Sequence, residues 1–192
     1  VANISHELKT PIGGISILAE AIAEGSENPD LVKNFAERMN IETSRLSHLV
    51  QEIIDLSRIQ DQNTMQNSEL VSLKKVVDEA IYQSKIRAEK RQVQINFACD
   101  EDIEFFGDRK QLVIAISNLI ENAINYSPER TNVNVVLRKV NNVAEIAISD
   151  QGVGIAEADL DRIFERFYRV DPARSRETGG TGLGLSIVKH VI

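Results

Sequence analysis

Two apolar stripes within the first sixty residues limit what this chain can become. Ile4, Leu8, Ile12, Ile15, Leu18 and Ile22 recur at spacings of three and four, and Leu46, Leu49, Ile53 and Leu56 do the same further on. Side chains at those spacings share one face of an α-helix. Gly25, Ser26, Asn28 and Pro29 lie between the stripes and read as a tight connection. The expected unit is a helical hairpin. One hairpin cannot bury both stripes, whereas two copies forming a four-helix bundle can. The plainer alternative is a two-helix unit packed on a second domain.

The remainder changes pattern. Residues 61–68, Asp-Gln-Asn-Thr-Met-Gln-Asn-Ser, are polar and aperiodic. The boundaries read as 1–62, a hinge over 63–68, and a second domain over 69–192. Within the second domain the pattern predicts a strand near 69–72, a helix near 73–90, strands near 92–98 and 103–106, and a helix over 108–126. Strands near 132–140 and 143–149 would pair around the turn Asn141-Asn142, and a last helix would start near Gly182. This is a mixed sheet covered by helices on one face, an α+β sandwich.

Of 192 residues, 42% are hydrophobic, enough for real cores. The net charge of −7 argues against nucleic acid as main partner. It leaves nucleotides open, because backbone amides and a metal ion hold phosphates on acidic proteins. The single Cys99 excludes a disulfide framework and suits a reducing cytosol. No run reaches the roughly 18 apolar residues of a membrane span, and no signal peptide is visible. The chain opens on Val1 without an initiator Met and reads as a piece of something longer.

Four segments carry chemistry. In Ile4-Ser5-His6-Glu7-Leu8-Lys9-Thr10-Pro11, a nucleophile, an acid and a hydroxyl fit within one helical turn. His6 and Thr10 share a face, with Glu7 beside them. Pro11 removes a ladder bond to Glu7, so a bend is expected there. His48 and His190 lack such neighbours and read as structural.

The second segment ends the helix at 108–126. Asn118 and Asn122 share a face, and a side-chain carbonyl there can ligate Mg²⁺. Third, Ser149-Asp150-Gln151-Gly152-Val153-Gly154-Ile155 closes a strand. Its glycines let a base approach the backbone, and Asp150 can accept from an exocyclic amine. Fourth, Gly179-Gly180-Thr181-Gly182-Leu183-Gly184-Leu185 opens a helix, so its amides point at a potential phosphate. It matches neither the Rossmann nor the Walker spacing. Between the last two, Phe164, Phe167 and Arg169 with Arg174 and Arg176 read as a cationic lid over phosphates.

In this order the pieces resemble the sensor histidine kinases of bacterial two-component systems, over nearly the whole chain. Residues 1–62 resemble the dimerisation and histidine phosphotransfer domain, and residues 69–192 the ATP-binding domain of the GHKL superfamily. The Ala-Asn-Ile-Ser-His-Glu-Leu-Lys-Thr-Pro start and Asp55-Leu56-Ser57-Arg58 look most like phosphate-responsive sensors.

The resemblance implies roles. His6 would be the phosphoacceptor, Glu7 its general base and Thr10 an orienter of water for phosphatase action. Asn118 and Asn122 would form the asparagine box, with Asn122 on Mg²⁺. Tyr126 would flank the nucleotide, Asp150 would recognise adenine beside Gly152, Gly154 and Ile155, and Arg169 would belong to the lid. Gly180, Thr181, Gly182, Leu183 and Gly184 would line the phosphates. The implied ligands are ATP and Mg²⁺. The implied partners are a second copy through the hairpin and a response-regulator receiver domain. Nucleic acid is not a partner, and membrane enters only through regions before Val1. The segment is thus expected in the cytoplasm, on a membrane-anchored parent.

Two departures stand out. The family often has Lys where this chain has Asn125, and its domain usually continues with two strands past Ile192, which implies a C-terminal truncation. Two rivals remain. A GHKL ATPase of the chaperone, gyrase or mismatch-repair kind would need a Glu where Asn118 stands. A nucleotide-sensing dimer without catalysis would leave Glu7 and Thr10 without purpose.

Overall fold

A computed structural model describes residues 2–25, 28–60, 67–171 and 180–192. Ser26, residues 61–66, which include 63–66 of the expected hinge, and Arg174, Arg176 and Gly179 lie outside the described residues. The chain forms two compact units, Val1–Asp55 and Leu56–Ile192.

The first unit is a helical hairpin of α1 (Ala2–Glu24) and α2 (Pro29–Gln60), so the division between units falls inside α2. Asn28 caps α2, its Oδ1 accepting from Asp30 N at 3.1 Å and Leu31 N at 3.2 Å. Pro29, expected in the connection, is instead the first residue of α2. That position suits proline, whose missing N–H has no helical partner there in any case. The helix α1 runs on through Pro11. Leu49 is buried, whereas Ile12, Ile17, Ile41, Val50 and Ile54 are exposed.

The second unit begins with β1 (Glu69–Ser72) and α3 (Leu73–Lys90). Then come β2 (Gln94–Cys99), β3 (Glu104–Gly107) and α4 (Arg109–Tyr126). The strands β4 (Asn132–Val140) and β5 (Val143–Ser149) follow, then a 3₁₀ turn at Glu157–Asp159 and α5 (Gly184–Val191). The strand order β2-β4-β5 is parallel at its first pairing and antiparallel at its second. The expected single sheet is divided: β1 and β3 form a separate antiparallel ribbon.

Local chemistry explains the element ends. Ser72 Oγ accepts from Lys75 N at 3.1 Å and caps α3. Asp108 Oδ1 accepts from Lys110 N at 2.9 Å and Gln111 N at 3.2 Å and caps α4. Asn141 and Asn142, with φ of 47° and 66°, make the turn between β4 and β5, as a two-residue hairpin demands.

The core lies between the sheet and its helices. Val76, Val77 and Ala80 of α3, Ile120 and Ile124 of α4, and Val133, Val135 and Leu137 of β4 are fully buried. Each large side chain among them contributes about 1.5–3 kcal/mol on leaving water. The helix α4 therefore has one face fixed in the core, and it packs against both α3 and α5. No helix among the described residues is long and apolar enough to cross a membrane.

Candidate active site

In the first unit, His6 is exposed on α1 and Glu7, beside it, is partly buried. The Thr10 hydroxyl donates to the His6 carbonyl at 3.2 Å. Its proton is thereby committed to the helix, while the exposed oxygen keeps lone pairs that a water can donate to. His48 has an acid of its own one turn on: its Nε2 lies 3.6 Å from Oε1 of the buried Glu52.

In the second unit, two segments close on α4: the start of α5 and the loop after β5. Asn118 Nδ2 donates to Ile114 O at 2.9 Å, which turns its Oδ1 towards the start of α5. A Cβ on Gly184 would overlap that Oδ1 and stand 3.3 Å from Asn118 Cγ. The first residue of α5 thus sits directly on the first of the paired asparagines. Asn122 follows one turn later, partly buried.

At the other end of α4, the loop after β5 closes on Tyr126. Gly152 N donates to Asp150 Oδ1 at 2.7 Å, so Oδ2 remains for a ligand. A Cβ on Gly152 would lie 2.9 Å from Tyr126 O, closer than a side chain tolerates. Asp150, Gly154 and Ile155 are exposed beside it. Gln151 Oε1 accepts from Asn132 N at 3.1 Å and ties this loop to the start of β4.

The lid and glycine segments are stitched together. Phe167 N donates to Gly182 O at 2.8 Å, and Arg169 Nη2 donates to Thr181 O at 2.9 Å. Thr181 is buried, its Oγ1 accepting from Leu183 N at 3.2 Å, and Leu183 is fully buried. Only the backbone at 181–183 can therefore face a phosphate. Gly180 and Gly182 lie in the same turn, ahead of α5, whose first residues have no side-chain cap. Phe164 stays exposed.

Sequence reasoning missed the clamp behind this lid. The Tyr168 hydroxyl donates to Asp159 Oδ1, and the Arg162 guanidinium lies 4.2 Å from the Tyr168 ring centroid. The bond to Asp159 pushes the Tyr168 hydroxyl above its ordinary value. Nothing in the spacing of Asp159 and Tyr168 distinguished them from surface residues. His190 is held too, its Nδ1 donating to Ser186 O at 2.8 Å, with Arg166 Nη2 at 3.4 Å from Nε2.

No group of three or more His, Cys, Asp or Glu that could hold a metal exists among the described residues. The donor chemistry fits Mg²⁺ carried by a nucleotide, with amide oxygens supplementing phosphate oxygens.

A helical hairpin with His6 exposed and Glu7 partly buried beside it thus precedes an α/β sandwich in which α5 begins directly against Asn118. Residues 1–62 match the His Kinase A (phospho-acceptor) domain, and residues 107–192 match the histidine kinase-, DNA gyrase B-, and HSP90-like ATPase family. The chain is 48% identical, over its full length, to the sensor-like histidine kinase SenX3 of Mycolicibacterium smegmatis, spanning 50% of that protein. The Mycobacterial sensor histidine kinase MprB matches at 32% identity and a TM-score of 0.57, over 65% of this chain and 77% of that one. The Acinetobacter baumannii histidine kinase AdeS matches at 28% identity and a TM-score of 0.72, over 97% of this chain and 85% of that one. The chain belongs to the bacterial two-component sensor histidine kinases. It spans about half the length, or less, of the curated relatives it matches.

Proposed function

We propose that this chain autophosphorylates on His6 with ATP and passes the phosphoryl group to an aspartate of a response-regulator receiver domain. The observation that carries the reading is the exposed His6 on α1, with Glu7 adjacent and Thr10 tied to its carbonyl. Neutral imidazole, with a lone pair on one ring nitrogen, is the nucleophile. One ring nitrogen of His6 attacks the γ-phosphorus, the bond to the leaving ADP oxygen breaks, and Glu7 takes the proton from the other nitrogen. Such a base is worth about 10²–10⁴-fold. The N–P bond then breaks as the receiver carboxylate attacks.

Asp150 recognises the adenine amine through Oδ2, and Tyr126 flanks the base. Backbone at Gly180, Gly182 and Gly184 lines the phosphates, with Thr181 and Leu183 holding that backbone in place from the interior. Gly152, Gly154 and Ile155 border the base, and Arg169 steadies the lid. Asn122, with Asn118 on the same face, holds Mg²⁺, which neutralises phosphate charge. Thr10 orients water when the same chain acts as a phosphatase.

Residues 1–62 act as the phosphoacceptor module, 63–68 as hinge and 69–192 as ATP-binding module. The exposed Ile12, Ile17, Ile41, Val50 and Ile54 support a homodimer through the hairpin. The segment works in the cytoplasm, and regions outside it anchor the parent in the membrane.

One variant separates kinase from ATPase, and a second serves as its control. Asn122→Asp weakens Mg-ATP binding under either reading. His6→Gln abolishes retained phosphoryl label in a kinase, whereas a hydrolase releases phosphate steadily with His6→Gln as without it. Full labelling of His6→Gln would overturn the acceptor assignment.

A further inference from the structure

The end of α4 is held by a side chain from outside the nucleotide loops. Arg91, the residue capping the C-terminus of α3, extends its guanidinium across to that end. Its Nη2 donates to Asn125 O at 3.2 Å and to Ser127 O at 3.3 Å, in a partly buried setting. Carbonyls at a helix C-terminus lack helical partners and carry partial negative charge, so a cation there both satisfies and stabilises them. Between the two bonded carbonyls sits Tyr126.

The residues just after this turn are tied to the connection between α3 and β2 and to the first residue of β2. Arg130 N donates to Gln92 O at 2.9 Å, and Gln94 N donates to Thr131 O at 3.0 Å. On its other side, Tyr126 O lies where Gly152 allows no Cβ, and Gly152 N in turn holds Asp150 Oδ1 at 2.7 Å. A continuous line of contacts runs from Arg91 through the 125–127 carbonyls to Gly152 and Asp150.

We propose that Arg91 is a positioning residue for base recognition. It fixes the last turn of α4, and so sets the wall against which Gly152 and the Asp150 carboxylate are placed. This rests on the reading of Asp150 as the group that accepts from the adenine amine. Removing the guanidinium leaves two helix-end carbonyls without their donor and lets the 125–127 turn shift. Asp150 then loses its register with the base, while the glycine loop ahead of α5 is untouched. The effect therefore falls on base discrimination rather than on affinity for the triphosphate.

The test is the ratio of ATP to inosine triphosphate affinity in the full chain, measured for Arg91→Met and Asp150→Asn. Inosine triphosphate keeps the phosphates and replaces the exocyclic amine by a carbonyl. In Arg91→Met the ratio falls about tenfold, the worth of one hydrogen bond to a charged group, with inosine triphosphate affinity unchanged. A wild-type ratio in Arg91→Met, with the ratio collapsed in Asp150→Asn, overturns the role of Arg91 alone. A wild-type ratio in Asp150→Asn overturns the reading of Asp150 itself. Should Arg91→Met not fold, Arg91→Gln, too short to reach both carbonyls, carries the test. A reduced ratio there supports the proposal and a wild-type ratio overturns it.

Discussion

The amide of Phe167 donates to the carbonyl of Gly182 at 2.8 Å, joining the lid segment to the loop that opens α5. Gly182 has a φ of +78°, and a Cβ there would lie 2.8 Å from both Cα and the carbonyl carbon of Phe167. Gly182→Ala pays about 1–2 kcal/mol for the left-handed backbone alone, before the overlap is counted. We expect it to weaken ATP binding strongly while far-UV circular dichroism keeps the helical signal. Titration with a fluorescent ATP analogue checks this, and unchanged affinity would remove the loop from the site.

Gly184→Ala acts on a different partner. The new methyl would press on Asn118 Oδ1 and turn the asparagine side chain away. The expected result is a loss of Mg-ATP affinity that adding Asn118→Ala does not deepen, since the methyl has already displaced the asparagine. Calorimetric titration of the single and double variants reads the coupling. Additive losses would mean that the two residues do not act on each other.

Thr10→Ala divides two activities. The hydroxyl donates to His6 O at 3.2 Å, outside the backbone ladder of α1. Autophosphorylation is expected to persist, and dephosphorylation of the phosphorylated receiver domain to fall severalfold. Time courses of both reactions decide the matter, and equal loss of the two would sink the water-orienting role.

The start of α3 makes stability depend on pH. The Ser72 hydroxyl donates to Asp102 and holds its carboxyl below its ordinary value of 3.8, with Lys74 N donating at 3.2 Å. A carboxyl depressed on folding stabilises the fold above its unfolded value and stops doing so as pH falls through the folded value. The melting temperature of Asp102→Asn should lie below wild type at neutral pH and converge with it well below pH 3.8. Ser72→Ala, which also loses the cap on Lys75 N, should cost about 1 kcal/mol. A gap that persists in acid would contradict the assignment.

Much of this fold was legible because short-range chemistry sets it. The Asn141-Asn142 pair marks its own turn and apolar periodicity marks the helices and strands, whereas the caps Ser72 and Asp108 were not singled out. Pro29 was misread because proline opens helices as well as breaking chains. The separate β1–β3 ribbon was not legible, since alternation shows that a strand exists but not which neighbour it pairs with. The site was legible as motifs, yet the burial of Leu183 and Thr181 behind the glycine loop was not. Arg91 gave no signal at all: its partners lie 34 and 36 residues away, and they are backbone carbonyls, which any residue supplies.

The most direct measurement is incubation with Mg²⁺ and γ-³²P-ATP, followed by acid and alkali treatment of the labelled chain. The account predicts label that is lost in acid, survives alkali and disappears in His6→Gln. Label that survives acid, or that His6→Gln retains, would contradict it.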